Sequence, residues 1–294
     1  MPNADVLLTG AGSFIGSHVL PRLAQAGLRV AATVRSGSTG RSPIENVDNV
    51  SMLQLDLASK EDFSGLPKRV NTVIHLAAAS SGEHRTSRIV DANVNGTRNL
   101  IDYALSAGAE RFVFASSLSV HGTIADATVT PDTPVINPDA YGASKWFGEE
   151  LLRENSEALP SVAIRLPAVL GRGAKRHWLS GVLDKARKGE EIEIFNPNAA
   201  FNNAISVDAL SEFFVRLCRM SITGRDAFPI ASAGRTTIRD AVSTVLRAAE
   251  SRSVVRESPS PRTSFVIDTS RAVELGFRPG DIVEEIAGYV RASL

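Results

Sequence analysis

Tyr141 and Lys145 stand four residues apart in "DAYGASKWFGEELL", a spacing that puts both side chains on one face of a helix. Free tyrosine titrates near pH ~10, too high for a proton shuttle at neutrality, but neighbouring positive charge favours the phenolate and lowers that value. The pair can therefore act as acid and base. By itself Y-x-x-x-K also recurs on solvated helix faces, so the surroundings matter. Upstream, "RFVFASSLSVHG" ends a predicted strand with Ser116, Ser117 and Ser119, and ligands of open α/β sheets bind beyond the carboxyl ends of strands. A serine hydroxyl there can bond a substrate oxygen, so Tyr141 and Lys145, with one of Ser116, Ser117 and Ser119, are candidates for catalysis.

A second chemistry-bearing stretch lies at the start of the chain. "LLTGAGSFIGSHV" reads G-x-G-x-x-x-G, with Gly10, Gly12 and Gly16 between a predicted strand, Val6 to Thr9, and a helix from about Phe14. In that context glycines let backbone approach a pyrophosphate, and the free amides and dipole of the helix start attract its charge. Gly10, Gly12, Ser13, Phe14, Ile15 and Gly16 are thus expected to hold a dinucleotide; a glycine turn without a ligand is the alternative. At the end of the next strand a fold preferring NAD places an acid on the ribose 2′-hydroxyl. This chain has Val34, Arg35 and Ser36. A guanidinium pairs with a 2′-phosphate that a carboxylate repels, so Arg35 points to NADP, unless it is a solvated loop arginine.

The elements that must position these residues follow a βαβα rhythm: "DVLLTG", "FIGSHVLPRLAQAG", "RVAATV", "VSMLQLD", "VNTVIHLAA", "NVNGTRNLIDYALSAG", "RFVFASS" and "SVAIRLP". Near-continuous apolar strands between helices imply a parallel, doubly wound sheet covered on both faces. Gly27 and Gly108 close two of the helices. After Pro167 the pattern loosens into segments rich in glycine, proline, asparagine and serine. We expect a nucleotide-binding domain over 1–168, with returning segments near 203–232, and a smaller lobe mainly over 169–294 that binds substrate.

Composition excludes several classes. A chain of 294 residues, 43% hydrophobic and with zero formal net charge, can bury a sizeable core, and nothing in it recommends nucleic acid or an anionic membrane as partner. The single cysteine, Cys218, cannot form an internal disulfide or a cysteine-rich metal site. No metal is expected. The start of the chain carries no basic, apolar leader pattern, and no apolar run approaches the ~20 residues needed to span a bilayer. A cytoplasmic protein is expected.

Taken in order, "TGAGSFIGSH", "LDL" at Leu55 to Leu57, "HLAA" at His75 to Ala78, "NVNGTRNL", "FASSLSVHG", "YGASK", "RLPAVLGRG", "ISVDAL" and "LGFRP" run nearly the whole chain. The sequence resembles the extended short-chain dehydrogenases/reductases, the family of NAD(P)-dependent nucleotide-sugar epimerases, dehydratases and reductases. The resemblance implies a Rossmann-type α/β fold with a smaller C-terminal substrate lobe. It matches Tyr141 to the family's catalytic tyrosine, Lys145 to the lysine that holds the cofactor ribose, and Ser117 to the catalytic serine or threonine. Asp56 and Leu57 match the adenine-contacting pair, Ala77 and Ala78 the strand end lining the cofactor, and Asn93 an asparagine that is often structural. One departure is Ser13, where the family usually has glycine; its hydroxyl must face the phosphate or the site is loosened, so Gly10 and Gly16 carry more weight than Gly12. His121 stands where the family often has tyrosine.

Sugar dehydratases of the family carry an aspartate and a glutamate directly after the catalytic serine or threonine. Here Leu118 and Ser119 stand there, and leucine does no acid-base work. Hydride transfer at a keto or hydroxyl carbon of a nucleotide sugar remains. Arg35 tilts the choice to an NADP-linked 4-keto reductase over a 4-epimerase that keeps NAD bound. A third reading is an NADP-linked reductase of a non-nucleotide ketone or aldehyde. For the substrate, "GRGAKRHWLSG" offers Arg172, Lys175, Arg176 and His177, with Arg176 and His177 the chosen pair; Arg235, Arg239 and Arg271 are further candidates. The resemblance also allows a homodimer through the tyrosine-bearing helix, with Trp146, Phe147, Leu151 and Leu152 as its apolar residues.

Overall fold

The computed structural model describes residues 3–35, 47–80, 85–258 and 263–294; of the expected site residues, Ser36 lies outside them. In chain order the elements are β1 (Ala4–Thr9), α1 (Phe14–Gln25), β2 (Val30–Val34), β3 (Val50–Gln54), β4 (Val70–His75), α2 (Thr86–Ile89), a π-helical segment (Val90–Asn95), α3 (Gly96–Ser106), β5 (Arg111–Ser117), β6 (Thr128–Val129) and α4 (Ala140–Glu154). There follow β7 (Ser161–Leu166), β8 (Ala168–Leu170), α5 (Trp178–Lys188), β9 (Ile192–Phe195), β10 (Ala200–Phe201), β11 (Ala204–Ser206), α6 (Val207–Leu217), β12 (Arg225–Pro229), β13 (Thr236–Thr237), α7 (Ile238–Ala248), β14 (Val255–Ser258), β15 (Val266–Ile267), α8 (Ser270–Glu274) and α9 (Ile282–Ser293).

Two compact units emerge. The first comprises Met1–Thr123, Val135–Arg165 and Ser211–Phe228. Its sheet has seven strands in the order β12-β7-β5-β4-β1-β2-β3, and β1 pairs in parallel with β2 and β4, β2 with β3, and β4 with β5. The order reverses at β1, which is the Rossmann arrangement anticipated from the alternating pattern, and it leaves the turn after β1 open for a ligand. Strand interiors are buried because both faces are covered: Leu7, Val73, Phe112 and Leu100 of α3 share one core cluster and are fully shielded. Gly27 and Gly108, with φ of 79° and 67°, follow the ends of α1 and α3, as left-handed terminators do.

The second unit comprises Ile124–Pro134, Leu166–Leu210 and Pro229–Leu294. It is held by small pairings rather than one sheet: β8 with β11, β9 with β14, β6 with β15, and β10 with β13. Helices α5, α7 and α9 bury Leu179, Val182, Val242, Val245, Ile286 and Val290. The unit takes in 124–134, a segment we expected in the nucleotide-binding domain, while of the expected returning stretch only Ser211–Phe228 belongs to the first unit.

Candidate active site

The turn after β1 is shaped by close backbone approach. Gly10 has φ of 75°, and a Cβ there would lie 2.7 Å from the amide nitrogen of Ala77, so β1 and β4 can end side by side only around a glycine. At Gly16 a Cβ would collide with the Gly10 carbonyl, whereas at Gly12 it would meet only a Val34 methyl at 3.4 Å. Ser13 resolves its own departure from the family pattern. Its backbone is extended, with φ of −77°, and its hydroxyl accepts the Gly16 amide at 3.1 Å. It is the N-cap of α1, a role serine fills well. The amides of Phe14 and Ile15, in the first helical turn, have no carbonyl to bond within the helix.

This turn forms one end of a cavity of about 390 Å³ whose lining includes Gly10, Gly12, Ser13, Arg35, Asp56, Leu57, Ala77 and Ala78. The structure thus brings together most residues expected to hold the cofactor. It adds Arg88, which the sequence reading missed: Arg88 lines the same cavity and its Nη2 lies 3.6 Å from Asp56 Oδ2. The dimensions and chemistry fit a dinucleotide: backbone amides at a helix start for phosphates, small alanines beside them, and two guanidiniums with one carboxylate around an exposed rim. Asn93, in the π-helical segment, is a staple. Its amide bonds both the nitrogen and the carbonyl of Ala79, at 2.7 and 2.9 Å, and the Ser144 hydroxyl at 2.9 Å.

The second cluster is built by α4 lying against the end of β5. Gly142 sits so close that a Cβ would strike the Ser119 carbonyl, and Gly148 so close that a Cβ would lie 2.7 Å from the Phe114 ring. Asp139 caps the helix by accepting the Gly142 amide at 2.7 Å. That docking sets the Tyr141 phenol beside the Ser117 hydroxyl, which acts to lower its pKa. Ser117 Oγ also accepts the Ser119 amide at 3.1 Å, which fixes its rotamer. Lys145 is only 2% exposed; its Nζ donates to the Ala115 carbonyl at 2.7 Å and lies 4.7 Å from the Phe114 ring centre and 5.8 Å from that of Tyr141.

Electrostatics set the proton inventory. Burial pushes the Tyr141 phenol up to about 12, with the Asp139 charge adding to the effect and the Ser117 hydrogen bond working against it. Burial lowers Lys145 to about 7, opposed by the charge of Glu149. The expected lowering of the tyrosine by the neighbouring ammonium is not found in the protein by itself: burial dominates and raises the phenol, so the resting site holds Tyr141 protonated, the form that donates.

In the second unit, His177 is a helix cap. Its Nδ1 accepts the Ser180 amide at 3.1 Å, the Ser180 hydroxyl accepts the His177 amide at 3.2 Å, and its ring packs 5.5 Å from Tyr289. Arg176 precedes it, exposed and with φ of 67°. Neither lines the large cavity of this unit. Instead the next residues, Trp178 and Leu179, line a space of about 340 Å³ with Phe195, Phe201, Asn203 and Ile238. None of its described lining residues is charged, and the buried Asn203 Oδ1 has no hydrogen-bond partner. Arg239 is paired with Glu257 at 2.6 Å and Arg271 with Glu274 at 2.7 Å; Arg235 lies by a smaller pocket beside Phe201 and Asn202. On α4, Leu152 belongs to the core and Leu151 packs against it, which leaves Phe147, 50% exposed, as the open apolar residue.

Residues 6–228 match the NAD dependent epimerase/dehydratase family. The chain belongs to that family. Among curated members, a UDP-glucose 4-epimerase of Azospirillum brasilense is 33% identical over 56% of this chain and 49% of its own length, so the chain spans about half the length of several curated relatives it matches. A dTDP-4-dehydro-6-deoxy-D-allose reductase of Streptomyces bikiniensis is 26% identical over 97% of this chain and 96% of its own. Among solved structures, a UDP-N-acetylglucosamine 4-epimerase from Methanobrevibacter ruminantium superposes with a TM-score of 0.81 at 20% identity, covering 99% of this chain and 98% of that one. At that identity the likeness shows the shared fold. Among the chain's described residues no helix is long and apolar enough to cross a membrane.

Proposed function

We propose that this family member reduces a keto carbon of a nucleotide sugar, at the 4-position, with NADPH. The cofactor, when bound, supplies the hydride; the chain's own task is to hold the carbonyl and deliver a proton. Ser117 and Tyr141, close enough for the serine to act on the phenol, offer two hydroxyls to one substrate oxygen, and Lys145 sits one helical turn behind. The observation that carries the reading is the placement of Tyr141 and Ser117 at the end of β5 with Lys145 buried behind them, a set that can hold a carbonyl oxygen and deliver a proton to it. Arg35 and Arg88 beside the cofactor cavity support a 2′-phosphate, which pairs with guanidinium and is repelled by carboxylate. The uncharged, aromatic cavity of the second unit is suited to a neutral planar ring such as the nucleobase, with Asn203 Oδ1 free to accept from its edge. The single cysteine suits a reducing cytoplasm.

A second reading, a 4-epimerase with resident NAD, is favoured by one observation: a carboxylate, Asp56, also lines the cofactor cavity, 3.6 Å from Arg88. One experiment separates the readings. The purified protein is denatured and any released nucleotide identified, then stripped protein is titrated with NADPH and NADH and assayed at 340 nm with a dTDP-4-keto-6-deoxy sugar. Empty protein that prefers NADPH and oxidises it with the keto sugar supports the reductase. Near-stoichiometric NAD carried through purification replaces it with the epimerase. NADPH preference with turnover only on ketones lacking a nucleotide moves the substrate to the non-nucleotide class.

A further inference from the structure

Tyr141, Lys145 and Glu149 recur at four-residue intervals along α4 and form one stripe. Three consecutive residues closing β5 take one each. The Ala115 carbonyl accepts from Lys145 Nζ at 2.7 Å, Ser116 Oγ donates to Glu149 Oε1 at 2.6 Å, and the Ser117 hydroxyl acts on the Tyr141 phenol to lower its pKa. Glu149 is fully buried, as is nearly all of Arg165, and a buried carboxylate is costly unless it is paired. It is paired twice over. Arg165 Nε reaches Oε1 at 3.1 Å and its Nη2 reaches Oε2 at 2.9 Å, and Arg225 Nη2 approaches Oε2 at 3.3 Å. Without the carboxylate, the buried Arg165 guanidinium would lose this partner. Apolar side chains would hold β7 and β12 to α4 at lower desolvation cost, so the charges here call for an explanation beyond packing.

We propose that Glu149 is a positioning residue: held by Ser116, Arg165 and Arg225, its carboxylate lies one helical turn past Lys145 and favours the ammonium seated on the Ala115 carbonyl, one turn behind Tyr141. The role of that ammonium rests on the hydride-transfer reading; the charge balance itself does not. The other groups facing Lys145 cannot replace Glu149. On β4, His75 is buried between the Thr9 and Thr97 hydroxyls at 2.7 and 3.0 Å, and burial together with the Lys145 charge holds it neutral. From the π-helical segment the neighbour of α4 is the uncharged Asn93, on Ser144. At the helix start Asp139 acts on Tyr141, which is itself protonated.

The test reads Lys145 directly. The full chain, without cofactor or substrate, is labelled with 13Cε-lysine, which gives six lysine signals, and the signal missing from Lys145→Met is followed against pH. Wild type is expected to titrate near 7, the value to which burial lowers it. Glu149→Gln lowers that midpoint by at least one pH unit, so that at pH 7 the charged fraction falls from about half to about a tenth or less. Arg225→Gln, at a side chain 22% exposed, removes a cation that neutralises the Glu149 carboxylate and so raises the midpoint. If Glu149→Gln does not fold, the Arg225→Gln shift decides by itself. A midpoint that stays put, or that falls in Arg225→Gln, overturns the proposal and leaves Glu149 a brace between strand and helix. Because the titration uses no NADPH and no sugar, its failure leaves the reductase reading standing, and failure of the reductase assay leaves the titration valid.

Discussion

The turn after β1 and the junction of β5 with α4 both lie at carboxyl ends of strands of one sheet, with β4 between them, yet they are built from opposite materials. The first is backbone: a positive φ at Gly10, two close approaches and a serine cap, with an open cavity beyond. The second is side chain: a phenol, an ammonium, a carboxylate and two guanidiniums, nearly all withdrawn from water. A site made of amides tolerates exchange wherever no Cβ intrudes, and Ser13 in place of the family's glycine is an instance. A site made of buried charges tolerates little, because each group is the counterpart of another.

The largest effect expected from this contrast is at the charged junction. Tyr141→Phe removes the donated proton while keeping the ring, and kcat should fall on the order of 10²–10⁴-fold. NADPH affinity should hold, since Tyr141 is not among the lining residues of the cofactor cavity. Stopped-flow binding and steady-state turnover on the same sample separate the two; a loss of binding comparable to the loss of turnover would show that the regions are not distinct.

At the backbone turn the contrast between two glycines is the probe. Gly10→Ala forces an L side chain to φ of 75° and puts its Cβ 2.7 Å from the Ala77 nitrogen, with an expected cost of about 1–3 kcal/mol and loss of measurable dinucleotide binding. Gly12→Ala, with only the Val34 methyl nearby, should leave the melting temperature and affinity close to wild type. Equal damage from both would mean that the ligand, rather than the protein, fills the space at Gly12. Arg35→Ala should come next in size: loss of a charge-assisted hydrogen bond, about 1.5–3 kcal/mol, weakens NADPH on the order of 10–100-fold and leaves NADH nearly unchanged. Equal weakening of both removes the 2′-phosphate assignment.

The same contrast explains what could be read from the sequence. Local spacing made the turn legible, since its glycines are close in the chain and lie between a strand and a helix. Tyr141 and Lys145 were legible because i, i+4 spacing needs no tertiary knowledge, and Asn93 proved the structural residue that the resemblance implied. Glu149, Arg165 and Arg225 gave no such signal: they come together only when β7 and β12 take their places beside β5. Glu149 alone could have been suspected, one turn past Lys145. Arg88 was missed for the same reason, being brought to Asp56 from a separate helix. Arg176 and His177 were chosen for charge, which sequence shows, whereas the cavity beside them is lined by the apolar residues that follow.

The smallest expected effect is the most discriminating for the turn. Ser13 had two possible uses, facing a phosphate or serving the helix, and its hydroxyl accepts the Gly16 amide at 3.1 Å. Ser13→Ala should therefore cost about 1 kcal/mol of stability, whereas Ser13→Gly should cost only a few tenths. Neither should change NADPH affinity by more than a small factor. If the hydroxyl instead carried the phosphate, both variants would weaken NADPH alike while chemical denaturation showed no difference between them. Stability that distinguishes alanine from glycine, with affinity that does not, places Ser13 on the side of the backbone scaffold and leaves anion binding to the amides of Phe14 and Ile15.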